Sequence, residues 1–419
     1  MNRYLIQSVA LVTLMFPSLL FAQDIERGTL KKLDVAGKKV TVEIDGKQRE
    51  FSLTEDTRVL GASGKDLAEK LKDFREGNSI FVRPETRDGK EVLLGIKLAD
   101  ERPANEPARK NGGEQRRVSV DTRSLKPLTE LRSEKYQGFE GGFYPGGKNE
   151  RPKEHEAAGL NLAKQVQPLN AQGKADPNGK YVLLSIGMSN TMQSSQGFQR
   201  AMSEASNLNT QGQFVNGAQG GMTAAAIQDP NDGRTGKRYW DTVDDRLREA
   251  RVSREQVQVV WIKQADAGPT QGFPKYAQTL QAELAKIVQI LPERFPNIKL
   301  AYLSSRTYGG YATTSLNPEP YAYESAFSVK WLIEQQIKGD KSLNFDPARG
   351  EVKVPWLSWG PYLWANGSTK REDGFAYEPD DFTTSDGTHQ SPSGQRKVGQ
   401  LLLKFFETDS TTKPWFTRR

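Results

Sequence analysis

Between residues 24 and 100 apolar and polar side chains alternate in short runs: Thr29–Val35, Val40–Ile44, Glu50–Leu53, Ser79–Arg83 and Val92–Leu98. A period of two sends successive side chains to opposite faces, so each run predicts a strand with one buried face. Asp45-Gly46 and Asp88-Gly89 stand between such runs, and both dipeptides tolerate the positive φ of tight hairpin turns. Lys65–Phe74 changes to a helical period, with Leu67, Leu71 and Phe74 on one face. Together these elements predict a small β-barrel-like module with a single helix.

After Lys180 the texture is different. Continuous apolar runs, Tyr181–Ile186, Val257–Ile262, Ile298–Leu303 and Val354–Trp359, alternate with helical patterns at Tyr276–Leu291 and Tyr321–Ile337. A last helix starts at Pro392 behind the cap Ser391, with Val398, Leu401, Leu402 and Phe405 as its expected buried face. Strands apolar on both faces and separated by helices predict a parallel sheet covered on both sides, a three-layer α/β/α domain over 181–410. Sites on such sheets form in the loops after the carboxyl ends of the strands. Between the two units, 101–118 is a polar, Pro- and Gly-bearing linker, and 119–180 is a lead-in expected to pack on the larger domain.

The first residues are of another kind. Arg3 precedes an apolar run from Leu5 to Phe21, and Leu20-Phe21-Ala22 resembles a cleavage site, so 1–22 reads as a signal peptide. Gln7, Ser8, Pro17 and Ser18 interrupt the run, which argues against a retained anchor, and no other stretch approaches ~20 apolar residues. The mature protein is expected to be exported, periplasmic or extracellular, without a membrane span. The chain has no cysteine, which excludes disulfides, thiolate nucleophiles and Cys-ligated zinc. A formal charge of +7 reads as a solvated surface, or as weak attraction to acidic polysaccharide; an exported protein has no call for nucleic acid.

Histidine narrows the chemistry most. The chain has two, His155 in the polar segment Arg151-Pro-Lys-Glu-His-Glu and His389 in Ser385-Asp-Gly-Thr-His-Gln-Ser-Pro. A pair so spaced assembles no zinc site, and no metal or cofactor is expected. Asp386 lies three residues before His389, near enough in a turn to orient the imidazole and stabilise its protonated form. Ser189 follows the run Tyr181–Ile186 in Gly187-Met188-Ser189-Asn190, either as an exposed nucleophile, as a helix N-cap, or as both. The G-x-S-x-G elbow is absent.

Gly187-x-Ser189-Asn190, Asn216-Gly-Ala-Gln-Gly-Gly-Met-Thr223, Trp261-Ile-Lys-Gln264 and Asp386-x-x-His389, in this order, resemble the blocks of the SGNH (GDSL-like) hydrolase superfamily over roughly 181–406. The Trp-x-Gln-like block is similar to the sialate and carbohydrate O-acetylesterase branch. The resemblance implies an α/β/α fold and a triad of Ser189, Asp386 and His389 that passes through an acyl-serine. It also implies an oxyanion hole from the N–H groups of Ser189 and Gly221, with Gly220 as the alternative, and from the Gln264 amide. Met188 stands where the family has Asp, and Ala265-Asp266 follows Gln264 in place of the family's continuation.

The implied function is hydrolysis of short acyl esters, acetyl above all, on acylated carbohydrates or other small esters. A lipase, arylesterase or thioesterase on the same fold, or a glycan-binding protein without catalysis, are the alternatives. Trp359 and Trp364, in Trp356-Leu-Ser-Trp359-Gly-Pro-Tyr362-Leu-Trp364, either stack on sugar rings or pack the core. Arg306 either binds a substrate carboxylate or sulfate, or makes a structural ion pair. Asp229-Pro-Asn-Asp-Gly233 reads as a turn.

Overall fold

The computed structural model describes residues 26–44, 46–59, 66–87, 90–98 and 122–418. The expected signal peptide, 1–22, and linker, 101–118, lie outside the described residues, as do Asp45 and Asp88-Gly89 of the expected turns. The described chain falls into two compact units.

The first unit is a closed five-stranded barrel. Its strands are β1 (Glu26–Asp34), β2 (Lys39–Ile44), β3 (Lys47–Val59), β4 (Ser79–Arg87) and β5 (Lys90–Leu98), in the order β1-β2-β3-β5-β4. β1 pairs antiparallel with both β2 and β4, and β3 runs parallel to β5. Closure removes the free strand edges that otherwise invite pairing with other chains. The inward set of the alternation, including Leu30, Val42, Phe51, Ile80 and Leu93, is buried inside. Helix α1 is a single turn, Leu67–Lys70, capped by Asp66, and is shorter than the period predicts. Leu71 and Phe74 are nevertheless buried as expected.

The second unit is built on a parallel sheet of β8 (Tyr181–Gly187), β9 (Gly212–Asn216), β10 (Val257–Lys263), β11 (Leu300–Ser304) and β12 (Trp356–Trp359), in the order β12-β11-β10-β8-β9. All four pairings are parallel. Every residue of β8, β10, β11 and β12 is buried, as a sheet covered on both faces requires. The chain steps from β8 to β9 on one side and then to β10 on the other. This reversal opens a crevice beyond the carboxyl ends of β8 and β10, where open α/β sheets bind ligands.

The helices are α4 (Ser189–Glu204), α5 (Ala224–Ile227), α6 (Thr235–Glu249), α7 (Lys275–Arg294), α8 (Tyr321–Ile337), α9 (Pro392–Thr408) and α10 (Lys413–Phe416). α4 and α9 touch backbone to backbone. A Cβ at Gly197 would stand 1.8 Å from the Gln395 carbonyl oxygen, and one at Gly399 would stand 2.3 Å from the Gly197 carbonyl. α9 starts at Pro392 behind Ser391 as predicted, but it buries Val398, Leu402, Leu403 and Phe406. Leu401 and Phe405 are half-buried, because the helix turns one position away from the expected phase.

The lead-in carries α2 (Leu128–Leu131), the two-residue strands β6 (Lys135–Tyr136) and β7 (Phe139–Glu140), and α3 (Lys153–Ala163). It is fastened along β12. Trp359 Nε1 donates to Phe143 O at 2.9 Å, and Arg151 donates to Ser358 Oγ at 2.7 Å and to Asp409 Oδ2 at 2.7 Å. With both charges of the Arg151–Asp409 pair mostly out of water, removing one partner costs about 3–5 kcal/mol.

Candidate active site

β8 ends at Gly187 and α4 begins two residues later at Ser189. The turn is tight enough to require glycine: a Cβ at Gly187 would lie 2.3 Å from both Lys263 O and Thr191 Oγ1. The Gly187 N–H donates to the Tyr239 hydroxyl at 3.0 Å, and its carbonyl accepts from Gln219 N at 3.0 Å. Ser189 thus stands, half-exposed, at the first turn of a 16-residue helix. The unpaired N–H groups and the dipole of a helix at that end favour negative charge.

His389 reaches the same point from the other side. Its Nε2 is 2.8 Å from Ser189 Oγ, and its Nδ1 is hydrogen-bonded to Asp386 Oδ2. The second Asp386 oxygen accepts from Thr388 N, His389 N and Thr383 Oγ1, each at 2.9 Å. Burial opposes ionisation of Asp386, but the His389 ring and these N–H groups outweigh it and hold the carboxyl well below the usual range. An ionised Asp386 keeps the proton on Nδ1, so Nε2 presents a lone pair to the Ser189 hydroxyl. The loop is clamped to α4, since Gln390 N donates to Gln193 Oε1 at 3.0 Å and Gln390 Nε2 donates to Ser194 Oγ at 3.0 Å. The Gly197–Gly399 crossing and these bonds together set the distance between serine and histidine.

Both lie on a cavity of about 350 Å3, whose lining includes Met188, Gly220, Gly221, Leu316 and Arg306. Among the described residues the N–H groups of Ser189, Gly220 and Gly221 meet no protein acceptor, which leaves them free for an oxyanion. Gly221 has φ +74° and Gly220 an ordinary φ, and both stay open as the partner of Ser189.

Other expected site residues are placed elsewhere. The Gln264 amide does not line the cavity: its Nε2 donates to Met222 O at 2.9 Å and its Oε1 accepts from Ala265 N at 3.2 Å. It braces the glycine loop, with one of its two N–H donors spent on Met222 O. Trp364 is fully buried, with Nε1 on Glu319 Oε1 at 2.8 Å. Trp359 stacks on Phe143 at 4.6 Å and lines a separate cavity of about 630 Å3 that shares no lining residue with the one at Ser189. Neither ring is a platform beside the serine. Arg306 does line the Ser189 cavity; among the described residues it forms no close ion pair, and the buried Glu319 acts on it at longer range. Asp229–Gly233 is a turn, where Asp232 Oδ1 accepts from Arg234 N at 2.8 Å and Gly236 N at 3.0 Å at the start of α6. No group of three or more potential metal ligands occurs among the described residues.

Asn190, Asn317 and Asp266 line the cavity as well. Asn190 neighbours the serine in sequence and was legible as part of its motif. Asn317 and Asp266 sit in loops with no periodic signal.

No family model matches the chain, and no curated protein sequence matches it. Among solved structures, the Ag(I) form of CusF from Escherichia coli is 19% identical, covering 19% of this chain and 96% of that one, with a TM-score of 0.15. The lipase Lip_vut3 from a goat rumen metagenome is 12% identical, covering 55% of this chain and 100% of that one, with a TM-score of 0.33. The periplasmic domain of a lipopolysaccharide acetyltransferase from Salmonella ser. Paratyphi A is 13% identical, covering 60% and 95%, with a TM-score of 0.30. At these scores the likenesses carry no functional weight.

Proposed function

We propose that the chain is an exported serine esterase that hydrolyses short acyl esters, acetyl first, on carbohydrates, through an acyl-serine. The observation that carries this reading is the continuous hydrogen-bonded line from Asp386 through His389 to Ser189 Oγ, 2.8 Å long at its last step, at the mouth of a cavity. In the proposed reaction Ser189 Oγ attacks the ester carbonyl as its proton passes to His389 Nε2. The resulting oxyanion faces the N–H groups of Ser189 and of Gly221 or Gly220. Collapse expels the alcohol, which takes the proton from His389, and a water activated by the same ring releases the acid.

The small volume of the cavity, about 350 Å3, favours a short acyl group over a lipid chain. The carbohydrate part rests on the resemblance to carbohydrate O-acetylesterases and on the expected export, since no tryptophan ring flanks Ser189. Residues 24–100 contain no histidine and no tryptophan, and no chemistry is assigned to the barrel.

The test is hydrolysis of p-nitrophenyl acetate and octanoate by the wild type, Ser189→Ala and His389→Ala. The expected outcome is a clear preference for acetate, with both variants losing at least ~10³-fold. Equal rates in all three proteins would sink the proposal.

A further inference from the structure

Two cations are buried near the carboxyl ends of β10 and β11. Lys263 is 1% exposed and Arg306 is 2% exposed. Lys263 Nζ and Arg306 Nη1 have no hydrogen-bond partner, and among the described residues no carboxylate forms a close ion pair with either, although the buried Glu319 acts on Arg306 at longer range. Burying a charge unpaired is strongly unfavourable. Burial first, and Arg306 second, push the Lys263 ammonium well down, toward loss of its charge. Arg306 cannot do so, because a guanidinium keeps its proton in any protein setting. Its posture is fixed, with Nε donating to Asn317 Oδ1 at 3.0 Å and Asn317 Nδ2 donating to Asp266 O at 3.1 Å. Arg306 and Asn317 are both on the lining of the Ser189 cavity. Asp266 shares that lining, but its Oδ1 accepts from Ala225 N at 3.0 Å. Its charge also acts on Glu283, whose carboxyl is pushed up to about 8 by burial and then by Asp266.

A held guanidinium with an unpartnered N–H, on the lining of the same cavity as the nucleophile, is half of a charge-assisted pair. Building on the esterase reading, we propose that Arg306 selects esters that carry a carboxylate close to the scissile bond, so that the substrate class is acidic esters rather than neutral ones. The carboxylate can belong to the alcohol, as in an acylated uronic acid, or to the acyl group, as in a dicarboxylic half-ester.

Two matched pairs separate these sources. Methyl 2-O-acetylglucuronoside is compared with methyl 2-O-acetylglucoside, and mono-p-nitrophenyl succinate with p-nitrophenyl butyrate. In the wild type the acidic member of at least one pair is expected to have a kcat/KM at least tenfold higher, in keeping with a hydrogen bond to a charged group. That ratio should collapse toward one in Arg306→Gln and survive in part in Arg306→Lys. The ratio, not the absolute rate, is read, with folding checked by circular dichroism; Arg306→Lys serves if the glutamine variant does not fold. Wild-type ratios at or below one for both pairs, or a ratio unchanged in Arg306→Gln, overturn the proposal. If the wild type hydrolyses none of the four esters, the esterase reading fails on its own. Arg306 is then decided by calorimetric binding of the acetylglucuronoside to Ser189→Ala. Binding that is lost in Ser189→Ala/Arg306→Gln supports the anion site, and absence of binding to Ser189→Ala refutes it.

Discussion

The two histidines stand in opposite surroundings within one domain. His155, on α3, is 6% exposed, stacks on Trp356 at 4.9 Å and donates Nε2–H to Leu357 O at 2.8 Å. Burial holds its ring down to about 4, so it is a neutral aromatic that fastens the lead-in to the edge strand. His389 is half-exposed beside a cavity, with a carboxylate on one nitrogen and a serine hydroxyl on the other. Both rings make hydrogen bonds, so bonding alone does not mark a base. The difference lies in what the ring faces: a backbone carbonyl in the core can only hold it, while a hydroxyl at a cavity mouth can give it a proton.

Substitutions can sharpen or break this contrast. The largest effect is expected at the carboxylate behind His389. Asp386→Asn keeps the shape but offers an N–H where Nδ1 needs an acceptor, so kcat should fall about 10²–10⁴-fold with little loss of stability. A drop of less than threefold in p-nitrophenyl acetate hydrolysis would mean that His389 is not acting as the base. A smaller effect is expected from Gly197→Val. Its side chain would meet Gln395 O, which a Cβ already approaches to 1.8 Å, and would push α4 from α9. That costs about 1–3 kcal/mol of stability and, by moving Ser189 from His389, about 10–100-fold in rate. Activity retained beside a lowered Tm would detach the helix crossing from the site geometry.

The smallest effect on activity, near none at neutral pH, is expected at His155. Folding disfavours its protonation, so the unfolded chain binds more protons between pH ~6.5 and about 4. Its contribution to stability is therefore complete above pH ~6.5 and lost as the pH falls toward 4, by up to about 3 kcal/mol. His155→Gln should flatten this part of the stability profile in denaturant titrations while leaving ester hydrolysis intact. A variant that loses activity while still folded would contradict the division of labour between the rings.

How far the site was legible depends on how local its signals are. Ser189, Asp386 and His389 lie in short motifs, and with two histidines in the chain the choice of base was nearly made by elimination. The buried strands β8, β10, β11 and β12 announced themselves as apolar runs. β9 did not, because Gly212–Asn216 has two buried residues and a polar rim. α6 is rich in charged residues that hide its apolar stripe, and α3 buries only the small or polar His155, Gly159 and Ala163. The place of Gln264, and the choice between sugar platform and core packing for the tryptophans, were not legible for a shared reason: residue type was visible, but hydrogen-bond partners 40 or more positions away were not. One Gln264 N–H goes to Met222 O, and the Trp364 indole N–H goes to Glu319. Arg306 was legible as a cation, while its burial without a close ion pair among the described residues belongs to the tertiary structure alone.

The central claim, that His389 activates Ser189 as a nucleophile, is tested most directly by covalent capture. The purified protein is treated with a small fluorophosphonate and the adduct is located by peptide mass spectrometry. The account predicts one adduct per chain, on Ser189, formed at a rate that falls at least ~10²-fold in His389→Ala. A protein that stays unlabelled, or one labelled equally fast without His389, would contradict it.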